Sequence, residues 1–241
     1  ARRNKKKIEM KDIEDAIMKV AVGVEKKSRV VSDKEKKLTA FHEAGHAIVT
    51  RCQPTQDPVH QISIVPRGRA GGYTLSLPLE DKSYMSKTEM IEEIVSLLGG
   101  RVAEKLALDD ISTGASNDIE RATAIAKKMI TKYGMSDTMG PIVFGSEHDE
   151  VFLGRDFTTQ RNYSENTASQ IDKEIKTLID GCYETAKKNL QDNFDKLNTV
   201  ANYLLEREKL SGEEFEKVMK GEELPKLDIN EEPKTEENKN L

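Results

Sequence analysis

The sequence predicts a mainly α-helical protein with one small β-sheet. Through most of the chain, apolar residues recur at intervals of three and four, which is typical of helices that pack on one face. Between residues 60 and 78 the interval shortens to two, as in strands that bury one side. Together these two periods indicate several packed helices around a short sheet.

Two helices are predicted before the sheet. Residues 8–22 form a short amphipathic pattern that ends at Gly23. A second helix should run from Ser32 to about Cys52, because Ser32 and Glu35 have the spacing of a capping box. Helical spacing gives this second helix one apolar face, formed by Leu38, Phe41, Gly45, Ile48 and Cys52.

The alternating segment that follows predicts a hairpin-like sheet. Ile62 and Ile64 alternate with polar residues, and Tyr73, Leu75 and Leu77 do so again. The intervening residues 66–72 are rich in glycine and arginine and are expected to form a turn or loop.

Helical patterns return in the second half, and they predict helices at 87–108, 117–133, 162–190, 197–205 and 213–219. The first of these contains Gly99 and Gly100, each costing about 1 kcal/mol relative to alanine in a helix. Close approach of another backbone is one feature that could offset this cost. In the helix predicted at 117–133, five residues are expected to face the core: Ile119, Ala122, Ala126, Met129 and Ile130. Residues 134–157 are expected to be irregular.

Composition excludes several classes of function. The net charge of −5 argues against nucleic acid as a main partner. No apolar run is long enough to span a membrane, and none near the start resembles a signal peptide. Cys52 and Cys182 lack the spacing of a metal-binding pair, which fits free thiols in a reducing compartment. Because the chain begins at Ala1 rather than Met, we expect it to be part of a longer protein.

The chemistry is concentrated in the sequence His42-Glu43-Ala44-Gly45-His46. Histidines four residues apart on a helix project from one face, so both imidazoles can reach a single ion. Zinc accepts neutral histidine nitrogens and leaves a position for water in catalytic sites. Glu43 can take a proton from that water as general base. Two surface histidines could share this spacing by chance, but two of the chain's only four histidines fall in this frame, on a helix with an apolar face.

A third protein ligand is needed, and the residues alone leave two carboxylates open. Asp118 opens a helix near its buried face, although an aspartate there could simply complement the helix dipole. Glu104 could be a ligand, a hydrogen-bond partner of an imidazole, or a salt-bridged surface residue. His60 and His148 lie in predicted strand or loop regions and are expected at the surface.

Three motifs in order resemble the FtsH family of membrane-anchored, ATP-dependent AAA+ zinc proteases. They are the histidine motif, then Gly99-Gly100-Arg101-Val102-Ala103-Glu104, then the segment 113–123 that begins Thr-Gly-Ala-Ser-Asn-Asp. The resemblance covers roughly residues 1–220. It implies a homo-hexameric peptidase that binds one Zn²⁺ per chain through His42, His46 and Asp118 and degrades unfolded or membrane proteins processively. Glu104 then becomes a hydrogen-bond partner of a ligand.

The resemblance also implies a domain organisation. Residues 1–24 resemble the last helix of an AAA+ lid followed by a hinge at Gly23, and residues 25–220 resemble the zinc peptidase domain. Residues 221–241 are acidic, contain proline and have few apolar residues, so their composition predicts a disordered tail. The tail could recruit a partner, but a solvated tail is the simpler expectation. Neither a Walker A loop nor a membrane span is present, so ATP and membrane attachment are expected only through an N-terminal part of the parent. The fragment itself is expected to be soluble. The parent is expected in a bacterial or organellar inner membrane, with this domain on the cytoplasmic or equivalent side.

Substrate is expected to add a strand to an exposed sheet edge at Tyr73, Thr74 and Leu75, with Gly71 and Gly72 allowing close approach. The alternative is that residues 71–78 are only a core hairpin strand. Two other functions fit the sequence less well. A deformylase-like hydrolase should have a cysteine ligand shortly before the histidine motif, and none precedes His42. An assembly domain that had lost its chemistry should lack some of the ligands and the base, but all four residues are present: His42, Glu43, His46 and Asp118.

Overall fold

The computed structural model describes residues 31–145, except 69 and 79, and residues 163–225, together with isolated positions before residue 26. Six helices lie in these ranges: α1 (Asp33–Arg51), α2 (Lys87–Leu108), α3 (Ser116–Thr131), α4 (Glu165–Asp192), α5 (Phe194–Arg207) and α6 (Gly212–Met219). A 3₁₀ turn, Thr113–Ala115, leads into α3. The strands are β1 (Val59–Ser63), β2 (Tyr73–Ser76) and β3 (Lys209–Ser211). The predicted fold class, mainly helical with a small sheet, is confirmed.

The sheet has three strands in the order β2-β1-β3, and both pairings are antiparallel. The predicted hairpin is present, with Ile62 opposite Thr74 and Ser63 opposite Tyr73. The third strand was not predicted, because three residues are too few to show an alternating pattern. As a result β1 is central, and β2 lies at an edge of the sheet.

Helix α1 begins as the sequence predicts, since the Ser32 side chain accepts a hydrogen bond from the Glu35 amide. The prediction of one buried face is too narrow, however. Every residue from 40 to 49 is buried except His46, which is half-buried, whereas Leu38 and Cys52 at the ends are only half-buried. Small residues on the second face allow this burial, because α2, α5 and the sheet all pack around the helix.

Glycines bring α1 and α2 into backbone contact. A Cβ atom built on Gly45 would lie 2.6 Å from the carbonyl oxygen of Gly99, and one built on Gly99 would lie 2.8 Å from that of Gly45. Real Cβ atoms are not found at such distances, so both positions require glycine. This close backbone approach is the compensation that the paired glycines of α2 suggested.

The later helices follow their predicted ranges with shifts of a few residues at the ends. In α3, the four inward residues Ala122, Ala126, Met129 and Ile130 are buried, but Ile119 is 38% exposed and its predicted burial is wrong. It lies in the first turn of α3. The core is formed between α1, α2, α5 and α6, and its fully buried side chains include Ile48, Ile94, Leu197, Leu204 and Phe215.

Several expectations lie outside the described residues: most of the 8–22 helix, His148 and the tail from residue 226 onward. Gly23, the expected hinge, has a φ angle of 92°. Near it, Glu25 lies 2.9 Å from the Lys209 ammonium group and 3.8 Å from the Arg67 guanidinium group. In the described part of the chain, no helix is both long and apolar enough to cross a membrane.

Candidate metal centre

His42 and His46 point toward the same spot beside α1. Their ring centroids are 4.6 Å apart, the ring planes meet at 77°, and the two Nε2 atoms are separated by 3.0 Å. The spacing of one helical turn therefore does bring both imidazoles together, as the sequence predicts.

Each imidazole is held through its other nitrogen by a group on α2. Nδ1 of His42 lies 2.7 Å from Oε1 of Glu104, and Nδ1 of His46 lies 2.9 Å from the carbonyl oxygen of Ser96. Both partners are acceptors, so in the neutral histidines each Nδ1 carries the proton and each Nε2 presents a lone pair.

Asp118 completes the cluster from the first turn of α3. Its Oδ2 atom lies 3.4 Å from Nε2 of His42 and 3.5 Å from Nε2 of His46. The three potential ligand atoms all lie within 4.8 Å of one another. Of the two carboxylates that the sequence left open, Asp118 is the one that faces both Nε2 atoms.

The donor set fits a zinc ion. Two lone pairs and a carboxylate oxygen converge, and in the neutral histidines no hydrogen-bond donor lies among these three atoms. A divalent cation would relieve the repulsion between these three electron-rich atoms. Two histidines with one carboxylate are a common catalytic zinc ligand set. Gly100 keeps the space open, since a Cβ atom there would lie 2.5 Å from Nε2 of His46 and 2.6 Å from Nε2 of His42.

The charges around His42 also favour a cation. Burial lowers the pKa of His42, but hydrogen bonds to the carboxylates of Asp118 and Glu104 outweigh burial and raise the pKa to about 10. Although burial opposes ionisation of Asp118, the adjacent imidazoles hold its pKa well below the usual range. A metal at Nε2 would therefore take the place of a proton on His42 in a negatively charged pocket.

Glu43 lies next to this cluster and is only 6% exposed. The hydroxyl of Thr74, on β2, lies 2.9 Å from its Oε2 atom and 3.0 Å from its backbone oxygen, and it can donate to either. Burial raises the pKa of Glu43, partly opposed by His46, His42 and the Thr74 hydrogen bond. The structure thus supplies a shielded carboxylate with a raised pKa, which is suited to accepting and returning a proton.

Glu104 is fully buried and both of its oxygens are occupied. Oε1 accepts from His42 and from the Ser112 hydroxyl, and Oε2 accepts from the Ser112 amide at 2.7 Å. These bonds keep the pKa of Glu104 below its usual value although burial opposes it. Glu104 therefore contacts the imidazole from behind, which is the position of a partner of His42.

The other histidines and cysteines in the described part of the chain lie away from this cluster. His60 is exposed on β1, and Cys52 and Cys182 are free thiols. Sequence reasoning missed Ser96, Ser112 and the link between Thr74 and Glu43. Ser96 contributes a backbone oxygen, which no side-chain pattern reveals. Ser112 precedes Thr-Gly in a loop, a capping pattern that indicates a turn but not its partner.

The sequence matches a family of known proteins. A profile of peptidase family M41 matches residues 29–218. The chain belongs to this peptidase family. The M41 chain is 60% identical over 93% of its length to ATP-dependent zinc metalloprotease FtsH 1 of Thermoanaerobacter sp. (strain X514). It is 59% identical over 94% of its length to the FtsH of Caldicellulosiruptor bescii, and 57% identical over 92% to FtsH 2 of Alkaliphilus metalliredigens.

These relatives are much longer than the M41 chain, which spans 37%, 37% and 32% of their respective lengths. The profile and the relatives together confirm the FtsH resemblance drawn from the three motifs. As the family and its zinc metalloprotease relatives imply zinc, the cluster of His42, His46 and Asp118 is the candidate site for it.

Proposed function

We propose that this chain is the zinc-dependent endopeptidase domain of an ATP-dependent, processive protease that degrades unfolded or membrane proteins. The observation that carries the proposal is the convergence of three ligand atoms, from His42, His46 and Asp118, beside the buried carboxylate of Glu43. Its relatives are named as ATP-dependent zinc metalloproteases, which supports the same assignment.

In the proposed mechanism, His42, His46 and Asp118 hold the metal and Glu43 handles protons. Zinc, when bound, would act as a Lewis acid on the scissile carbonyl and on the attacking water. Glu43 accepts the proton of that water and later donates it to the leaving amine. Thr74 donates to one carboxylate oxygen of Glu43 and so fixes the orientation of the other. Glu104 and Ser96 hold the imidazoles through Nδ1.

Substrate binding is proposed along β2, at Tyr73, Thr74 and Leu75. Strand β2 is an edge of the sheet, so its outward amide and carbonyl groups can pair with an extended peptide. The contact between Thr74 and Glu43 puts this edge beside the general base. A peptide added there would be bound through its backbone, which suits a protease that acts on many sequences.

Replacing Leu75 with proline tests this strand. Proline removes a backbone N–H and is poorly accommodated in a strand, so we expect Leu75→Pro to abolish peptide cleavage while zinc stays bound. Leu75→Ala keeps the N–H and should lose far less activity. Cleavage rates and zinc content of both variants are the measurements; intact cleavage by Leu75→Pro would refute a role of β2 in binding substrate.

Metal removal tests the function as a whole. We expect a chelator to lower hydrolysis of unfolded casein to below about a hundredth of the starting rate, because the Lewis acid contributes several kcal/mol to the transition state. About one equivalent of zinc per chain should restore it. A metal-free chain that cleaves casein as fast as the zinc-loaded chain would contradict the proposal.

The remaining features belong to the proposed parent protein. We propose that residues 25–220 form the peptidase domain, a range supported by the family match at 29–218, and that residues 1–24 are the end of an ATPase lid with a hinge at Gly23. The expected tail, residues 221–241, starts too early, because Leu224 is buried in the core and its amide donates to the Tyr203 hydroxyl at 3.2 Å. We therefore propose a solvated tail from residue 226 onward. ATP hydrolysis, a homo-hexameric ring and attachment to a bacterial or organellar inner membrane are proposed for the parent alone. The chain by itself should then cleave unfolded polypeptides without unfolding folded ones.

A further inference from the structure

Ser112 makes three hydrogen bonds through its amide and hydroxyl groups. Its amide donates to Oε2 of Glu104 at 2.7 Å, and its hydroxyl donates to Oε1 of the same carboxylate at 3.0 Å. The hydroxyl oxygen in turn accepts from the amide of Gly114 at 3.0 Å. Both hydrogen-bond donors of Ser112, the amide and the hydroxyl, thus bind the carboxylate of Glu104.

Glu104 also binds His42, so the bonds that orient its carboxylate act on the imidazole as well. Its Oε1 atom also accepts from Nδ1 of His42 at 2.7 Å, and the residue has no exposed surface. A buried carboxylate with three donors has one favourable orientation, because any rotation leaves an acceptor or a donor unsatisfied in the interior. The donors from Ser112 therefore help to decide where His42 points its Nε2 atom.

Ser112 also controls the start of the helix that carries Asp118. It is the N-cap of the 3₁₀ turn Thr113–Ala115, which continues without a break into α3. The loop is held a second time by Arg101, whose Nη1 atom donates to the Ser112 carbonyl at 3.3 Å. Since Asp118 lies in the first turn of α3, the position of Ser112 limits how far Asp118 can move from the two imidazoles.

We propose that Ser112 is a positioning residue of the metal centre, linking the orientation of His42 to the placement of Asp118 through the carboxylate of Glu104. The proposal rests on the proposed zinc function. It separates Ser112 from an ordinary helix cap such as Ser86, whose hydroxyl accepts from the amide of Glu89 at the start of α2 but touches none of the ligands. Ser112 caps a turn and also donates its hydroxyl proton toward the metal centre.

The test compares three variants of the full 241-residue chain: Ser112→Ala, Ser112→Thr and Ser86→Ala. Zinc affinity is measured by competition with a chelating dye, and the ligand geometry by the absorption spectrum of the Co²⁺-loaded chain. We expect Ser112→Ala to weaken zinc binding about tenfold or more, as loss of outer hydrogen bonds does in zinc enzymes, and to change the cobalt spectrum. Ser112→Thr keeps the hydroxyl and should restore both.

Ser86→Ala is the matched control, because it also removes a serine cap but leaves the metal centre untouched. It should lower thermal stability without altering zinc affinity or the cobalt spectrum. Far-UV circular dichroism of the same cobalt-loaded samples separates a change in ligand geometry from partial unfolding of Ser112→Ala. Wild-type affinity and spectrum in Ser112→Ala, or equal losses in Ser86→Ala, would overturn the inference. A wild-type chain that binds no zinc would instead overturn the proposed function.

Discussion

Glu43→Gln is expected to slow peptide hydrolysis by a factor of about 10² to 10⁴, the usual contribution of a general acid–base residue. Glutamine keeps the shape of the side chain and can still accept from Thr74, but it cannot take a proton from water. Because Glu43 contributes none of the three clustered ligand atoms, zinc content should stay at about one per chain. Rates on casein and on a short peptide, with zinc measured on the same samples, provide the check.

The control for this substitution is Glu92→Gln. Glu92 is a buried glutamate on α2 whose carboxylate accepts from the amide and hydroxyl of Thr55, away from the histidines. A similar change there should leave the rate per zinc-loaded molecule near wild type. If Glu43→Gln cleaves as fast as the wild type, the proposed mechanism is wrong.

Gly100→Ala is expected to weaken zinc binding by at least about a hundredfold, at or beyond the upper end of what outer-sphere changes cause. A Cβ atom at this position would lie 2.5 Å from Cε1 of His42 and from Nε2 of His46. The nearest atoms are ring atoms, so the imidazoles rather than the backbone have to move. The new methyl group therefore displaces the metal-facing nitrogens while the helix remains intact.

Gly181→Ala is the matched control for the same change in a helix. Gly181 is exposed in α4 and a Cβ atom there would meet nothing within 4 Å. Alanine should stabilise that helix by up to about 1 kcal/mol and leave zinc affinity unchanged. Isothermal titration of zinc and thermal unfolding of the metal-free chains distinguish the two sites. Normal zinc affinity in Gly100→Ala would contradict the placement of the metal beside this glycine.

Much of the fold could be predicted because its helices bury their faces at regular intervals. The range of α2, Lys87–Leu108, follows from the apolar spacing, and the paired glycines indicated a close neighbour. The burial of α1 on more than one face was harder to predict from the sequence. Alanine and glycine carry too little apolar surface to mark a second face, although they are what allows other elements to approach.

The candidate site was predictable in part. Spacing alone places His42 and His46 on one side of a helix with Glu43 beside them. Asp118 lies far along the chain, and its pairing with the histidines depends on how α3 packs, so only the family resemblance separated it from Glu104. Ser112 could not be predicted, because its role depends on a hydrogen bond to a buried carboxylate eight residues earlier.

The short strand β3 has a consequence for the synthesis of this chain. A ribosome releases β1 and β2 long before Lys209–Ser211, so the nascent hairpin exists for a time with one side of β1 unpaired. Unpaired strands recruit other strands, and newly made chains could associate through β1 until the C-terminal segment arrives. A segment near the end of the peptidase domain thus protects the sheet that carries Thr74.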